Sequence, residues 1–165
     1  MTIEITRAGA ERLDDLRPLF VALHDHHRQV TPKPIPLVAD DDAAWAARRA
    51  GYAEMLDEGI GYLHVADDAG TAVGYAFTVL RDASDDTFPL GPRYAELYTL
   101  SVAPAARGAG IGSRLLVAVD ELIAGLDVSA LQVAVMADNE DAIRLYRRHG
   151  LVTGEILMYR FPATG

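Results

Sequence analysis

Cysteine is missing from all 165 residues. Its absence removes disulfides, thiolate metal sites and any catalytic thiol supplied by the chain. Lysine is almost missing too, with Lys33 alone against fourteen arginines. We read that imbalance as compositional bias rather than function. No stretch approaches the roughly 18 consecutive apolar residues that a membrane span needs. The start, Met1-Thr2-Ile3-Glu4, has neither the basic segment nor the apolar core of a secretory leader. No membrane partner is expected, and the expected compartment is cytoplasmic. Positive charge is short: 15 Lys and Arg face 24 Asp and Glu, for a net charge of −9 and a pI near 4.9. A chain so acidic lacks the basic face of a phosphate-tracking protein, so no nucleic-acid partner is expected. Acidity keeps a protein soluble, and it would also suit a cationic partner.

Half of the residues are hydrophobic and 24% are charged, the balance of a folded globule with a real core. No repeat or low-complexity linker divides the chain, so residues 1–165 read as a single domain. Residues 3–8 alternate as a strand does. Leu13, Leu16, Leu19, Phe20 and Leu23 recur at helical spacing over residues 10–30, with Pro18 placed to break or bend the run. The prolines from Pro32 to Pro36 impose an extended loop. A second helix is expected over residues 42–57, with Asp40 to Asp42 at its positive end. Residues 61–66 and 71–80 read as a hairpin about the turn Asp67-Asp68-Ala69-Gly70. Residues 82–92 form a polar loop, and residues 94–102 another strand. A helix over 110–124, a buried strand over 131–136, a short helix over 140–149 closed by Gly150, and a final strand over 156–161 complete the order. Hairpins first and crossover helices later predict an α/β fold, a mixed sheet with helices on both faces.

The most informative segment follows the strand ending at Val102. Pro104 stops further pairing, and Gly108, Gly110 and Gly112 introduce a long helix. Backbone N–H groups at a helix N-terminus lack internal partners and carry partial positive charge, and glycines let a phosphate approach them. Arg107 adds a fixed charge at the mouth of the loop. A tight strand-to-helix turn would also use glycine, but three in five residues beside an arginine exceed that need. No Gly-Lys-Ser/Thr follows, and the spacing is not that of a dinucleotide fingerprint.

Arg107-x-x-Gly110-x-Gly112 after Val102-Ala-Pro104 resembles the acyl-CoA signature of the GNAT superfamily of N-acetyltransferases. Asn139-x-x-Ala142-x-x-x-Tyr146-x-x-x-Gly150-Leu151 resembles that superfamily's second segment, with Leu151 where phenylalanine is commoner. The resemblance implies a mostly antiparallel sheet containing one splayed parallel pair. It implies acetyl-CoA as acyl donor, no metal, and direct attack by a primary amine, of a small molecule or a protein or peptide, through a tetrahedral intermediate. By the same resemblance Leu100, Ser101 and Val102 would pair with the pantetheine arm. The loop Arg107, Gly108, Ala109, Gly110, Ile111, Gly112 and Ser113 would hold the pyrophosphate. Asn139 would bond the pantetheine, and Tyr146 would protonate the departing thiolate. A phenol near pKa 10 and a thiol near 8.5 are close enough for that transfer. Glu96 would take the amine proton, directly or through water.

Each assignment has a structural counterpart. Tyr146 shares a helical face with Ile143 and would pack in the core in any case, and Glu96 would hold an arginine. His24, His26 and His27 lack the i, i+4 spacing of a helical metal site, so solvated histidines are expected. Trp45, the prolines from Pro32 to Pro36 and Tyr159 are candidates for shaping an acceptor pocket. Trp45 is equally suited to the core. The acceptor, which the acidic surface allows to be cationic, is not named by the sequence, and a homodimer is compatible with it. A non-catalytic acyl-CoA-binding regulatory module, or an accessory subunit docking a basic protein, would carry the same loop.

Overall fold

The computed structural model describes residues 2–83 and 87–162. Five strands form one sheet in the order β1-β2-β3-β4-β5: β1 (Ile3–Ala8), β2 (Gly61–Asp68), β3 (Thr71–Asp82), β4 (Arg93–Val102) and β5 (Leu131–Val133). The first four are antiparallel neighbours, and β5 runs parallel to β4. The hairpin between β2 and β3 turns on Ala69 (φ 50°) and Gly70 (φ 84°). Two successive left-handed residues match the twist of the strands they join. The polar loop expected over 82–92 is shorter, because β3 runs to Asp82 and β4 begins at Arg93. Its residues 84–86 lie outside the described ones.

One face of the sheet carries a 3₁₀ turn (Ala10–Leu16), α1 (Arg17–Val30) and α2 (Asp41–Asp57). Pro18 stands in the first turn of α1, where its missing N–H costs nothing, and so starts the α-helix rather than bending one. Asp40 caps α2 by accepting the Ala43 N–H at 2.9 Å. Leu13, Leu16, Tyr52, Leu63, Tyr75 and Phe77 form the core of this face and are fully buried. Tyr52 stacks on Phe77 with ring centroids 4.0 Å apart. Its hydroxyl donates to Thr99 Oγ1 at 2.6 Å.

The opposite face carries α3 (Ile111–Ala124) and α4 (Glu140–Arg148). Its core joins Ala76 and Leu97 to Ile111, Leu115, Leu116, Val119 and Tyr146. Gly74 on β3 lets α3 start close to the sheet: a Cβ there would stand 3.0 Å from the Ser101 carbonyl and 3.3 Å from Ile111. Gly150 (φ 83°) closes α4, donating its N–H to Arg147 O at 3.1 Å.

Two expectations need correction. The strand expected over 131–136 pairs only from Leu131 to Val133. The final strand expected over 156–161 is absent: residues 151–162 have no regular secondary structure. A strand exists through the ladder it joins, and in the single chain this segment meets no edge.

Candidate active site

The site begins with one extra residue. Thr78 pairs with Leu97 and Phe77 with Thr99, so Tyr98 is left over as a bulge on β4. A bulge bends and twists its strand. The parallel ladder to β5 ends at the adjacent pair, Leu97 with Val133. Beyond it β4 continues through Leu100, Ser101 and Val102, bonded to β3 and to no described strand on its other side. The bulge therefore opens a gap between two parallel strands and leaves a bare stretch of backbone along one wall.

At the end of that wall lies the glycine loop. A 3₁₀ turn (Pro104–Ala106) reverses the chain, and Gly110 caps α3. Gly108 has φ 79° and Gly110 φ 76°. Nothing stands within 4 Å of a Cβ built on either. The left-handed backbone favours glycine there, and the space above it is open. Arg107, Gly108, Ala109 and Gly110 are exposed, while Ile111, 1% exposed, anchors the helix start in the core. The first-turn N–H groups of Ile111, Gly112 and Ser113 precede the first intrahelical bond, Arg114 N–H to Gly110 O at 3.1 Å. The Arg107 Nε–H donates to Val102 O at 3.2 Å, tying this side chain back to the end of β4. A Cβ at Gly112 would meet Leu145 of α4 at 3.3 Å, so α3 and α4 touch here.

Asn139 is the N-cap of α4, buried at 7% exposure. Its Oδ1 accepts the Ala142 N–H at 3.2 Å and lies 3.4 Å from His26 Nε2. That second contact links the end of α1 to the start of α4, helices that belong to opposite faces of the sheet. Tyr146, about two α4 turns further on, is 9% exposed, and burial pushes its phenol up to about 12. It is thus both a packing residue and a phenol that stays protonated at every physiological pH.

Glu96 points to the α1–α2 face and is already engaged. The Arg81 Nε–H donates to its Oε2 at 2.6 Å. Arg81 also lies 5.6 Å from the ring centre of Tyr98, and Arg48 lies 4.7 Å from the same ring. Arg48 donates to Thr99 Oγ1 at 3.3 Å and has no carboxylate partner among the described residues. Sequence reasoning placed Tyr98 on the face of Glu96 but missed Arg48, Arg81 and Gly74. An isolated glycine inside a strand marks a close approach and would have flagged Gly74. The pairing of Arg81 with Glu96 follows from a register set by the bulge, which no local pattern announces.

The histidines are not simply solvated. His24 is 8% exposed, stacks on Phe20 at 5.7 Å and lies 3.1 Å from Asp41 Oδ1. Burial first, then His26, His24 and Arg48, push His27 down to about 4. Among the described residues no group of three or more His, Asp or Glu is arranged to hold a metal ion. Trp45 packs on Phe20 at 5.4 Å and belongs to the core. Tyr159 is 59% exposed on the C-terminal segment and stacks on Phe161, with ring centroids 6.0 Å apart. No described helix is long and apolar enough to cross a membrane.

Comparison with known proteins places this geometry in context. The model of the acetyltransferase (GNAT) family matches residues 20–151. The mycothiol acetyltransferase of Renibacterium salmoninarum is 27% identical over 183 residues, covering 94% of this chain and 53% of its own length. That of Propionibacterium freudenreichii is 33% identical over 142 residues, covering 84% and 40%. The chain spans about half, or less, of the length of the curated relatives it matches. Among solved structures, a GCN5-related N-acetyltransferase from Ralstonia eutropha shares the fold with a TM-score of 0.78 at 16% identity, over 97% of this chain and 99% of that one. An aminoglycoside N-acetyltransferase in complex with CoA gives 0.71 at 18% identity, over 99% and 96%.

Proposed function

Since the chain belongs to the GNAT family of acetyltransferases, we propose that it transfers an acetyl group from acetyl-CoA to a primary amine. The observation that carries this reading is the bare edge of β4 running into the open, left-handed glycine turn at the start of α3. An amide-bearing arm adds to a strand edge by backbone hydrogen bonds, and a pyrophosphate takes free N–H groups at a helix N-terminus. Leu100, Ser101 and Val102 supply the first. Arg107, Gly108, Ala109, Gly110, Ile111, Gly112 and Ser113 supply the second. Asn139 has its oxygen engaged by the helix cap, so its amide N–H groups are the donors it offers to the pantetheine arm.

In the reaction the neutral amine attacks the thioester carbonyl, the C–N bond forms, and the C–S bond breaks from a tetrahedral intermediate. A backbone N–H of the bulged stretch stabilises the oxyanion. Tyr146 gives its proton to the leaving thiolate. Its raised pKa makes it a weaker acid than a free phenol, so it acts as thiolate charge develops rather than before. Glu96 takes the amine proton through water, because Arg81 holds its Oε2. Arg48 and Arg81 beside Tyr98 repel a polycationic acceptor and favour an amine carried next to a neutral or anionic group. We assign residues 1–165 to one catalytic domain working in the cytoplasm, where acetyl-CoA is made and used.

The test is release of free CoA by the purified chain with a panel of amines. A thiol reagent reads CoA alone, since the chain has no cysteine. Turnover with at least one amine is expected; CoA binding without turnover across the panel would make the chain a non-catalytic acyl-CoA module. For Glu96, Glu96→Gln should slow kcat/KM near neutral pH and recover partly in alkali, where the amine is already neutral. An unchanged profile returns Glu96 to a structural ion pair.

A further inference from the structure

The chain is strongly acidic, with a net charge of −9, yet the open end of β4 carries an uncompensated positive charge. Among the described residues the partly buried arginines are Arg12, Arg48, Arg49 and Arg81. Arg12 holds Asp67, Arg49 holds Asp14 and Arg81 holds Glu96. Arg48 holds no carboxylate among those residues, and every other described cation without one is exposed to solvent. Its guanidinium carbon lies instead among three rings, 4.7 Å from the centre of Tyr98, 5.6 Å from Phe20 and 5.8 Å from Tyr52. Aromatic faces steady a cation but do not replace a carboxylate's oxygens as hydrogen-bond acceptors. One Arg48 N–H donates to Thr99 Oγ1 at 3.3 Å, and the rest of the fork has no protein acceptor among the described residues. Drawing a charge partly out of water without an anion costs stability, and such groups concentrate where a ligand supplies the missing partner.

Thr99 follows the bulge residue Tyr98, and the bare wall of β4 begins at the next residue, Leu100. Arg81, which holds Glu96 Oε2 at 2.6 Å, lies 5.6 Å from the centre of the same Tyr98 ring. The unpaired guanidinium and the carboxylate assigned as base therefore flank one ring, a span that a single small molecule bridges. We propose that the acceptor is a small aminocarboxylate, an amino acid or a close analogue, and that Arg48 binds its carboxylate while its amine faces Glu96 and the thioester. This rests on the reading of the site as an acetyl-CoA:amine transferase. A guanidinium fork matches the two oxygens of a carboxylate. A single uncompensated cation balances a monoanion, whereas a phosphate dianion would leave negative charge unmatched in a partly buried place. The nearby His27, pushed down to about 4 by burial first and then by His26, His24 and Arg48, is neutral and adds no second cation. Transfer forms the amide C–N bond and breaks the thioester C–S bond. The amine proton leaves through water to Glu96 and Tyr146 protonates the thiolate, so the products are an N-acetyl carboxylate and CoA.

The test is CoA release with the common amino acids and short ω-aminocarboxylates, each beside its own carboxamide, at equal concentrations of neutral amine. The carboxamide keeps the shape of the acid and removes its charge. At least one acid should exceed its amide in kcat/KM by about 10- to 100-fold, chiefly through KM. Arg48→Gln should bring that ratio to within about threefold of unity, with Arg48→Lys in between, because an ammonium keeps the charge and loses the fork. Circular dichroism of both variants checks their fold, and the ratio in the unaltered chain stands as a test without them. A purely structural arginine would slow acid and amide alike, so an undiminished ratio in Arg48→Gln overturns the assignment. Amides or plain amines turned over as well as every acid overturn the acceptor class and leave acetyl transfer intact. Binding of acetyl-CoA without turnover of any amine removes the catalytic reading and this inference with it.

Discussion

The two ends of the sheet are built to different standards. Around β1 to β3, α1 and α2, the strands pair along their length, with one register shift between Ala66 and Asp67, and the side chains beneath them are buried. Around the end of β4, β5, α4 and the C-terminal segment, pairing between β4 and β5 stops after three residues and apolar side chains face water. The first end keeps the chain folded. The second exposes the backbone groups that a ligand or another strand can use. Unmade hydrogen bonds concentrate where binding is needed, and the closed end supplies the stability that tolerates them.

Breaking the closed end should have the largest effect on folding. Tyr52→Ala removes the stack on Phe77 and the hydroxyl on Thr99, and should cost about 3–5 kcal/mol in denaturant unfolding. Acetyl-CoA binding by the folded fraction should be little changed. The open end should respond in the opposite sense. Gly110→Asp puts a carboxylate at the start of α3, where the backbone already has φ 76°. Asp tolerates that conformation at a cost on the order of 1 kcal/mol, whereas calorimetric affinity for acetyl-CoA should fall about 100-fold or more. Equal affinity would remove the loop from the donor site.

Tyr146 belongs to both descriptions, so it sharpens the comparison. Tyr146→Phe keeps the packed ring and deletes the hydroxyl, and should lower kcat about 10- to 100-fold with near-normal acetyl-CoA affinity. With its phenol pushed up to about 12, the wild-type rate should show no loss from Tyr146 ionisation below about pH 11. A falling limb near pH 10 would mean an ordinary, solvated phenol. The smallest effect concerns His27, whose pKa drops from 6.5 unfolded to about 4 folded. The unfolded chain binds the proton more readily, so the stability linked to this group is complete above pH 6.5. It is lost as pH falls toward 4. His27→Gln should flatten that part of the Tm profile, and an unchanged slope would show that other groups carry it.

Much of the closed end is legible from the sequence because its signals are local. Asp40 and the acids after it mark the start of α2, and Gly70 marks the hairpin turn. The glycine loop is legible for the same reason: Gly108 and Gly110 announce a backbone that other residues resist. What escapes is set by pairing between distant segments. The bulge at Tyr98 decides where β5 must stop and which arginine meets Glu96, yet residues 93–102 alternate as any strand does. The segment after Gly150 has a strand's composition, yet among the described residues it joins no ladder.

The central claim is that acetyl-CoA lies along the bare wall of β4 and across the start of α3. Amide hydrogen exchange with and without acetyl-CoA tests it most directly, because it reads the backbone groups themselves. New protection is expected at Tyr98 to Val102 and at Gly108 to Ser113, with the amides of β1 and β2 unchanged. Protection absent from both stretches, while acetyl-CoA binds and protects amides elsewhere in the chain, would contradict it.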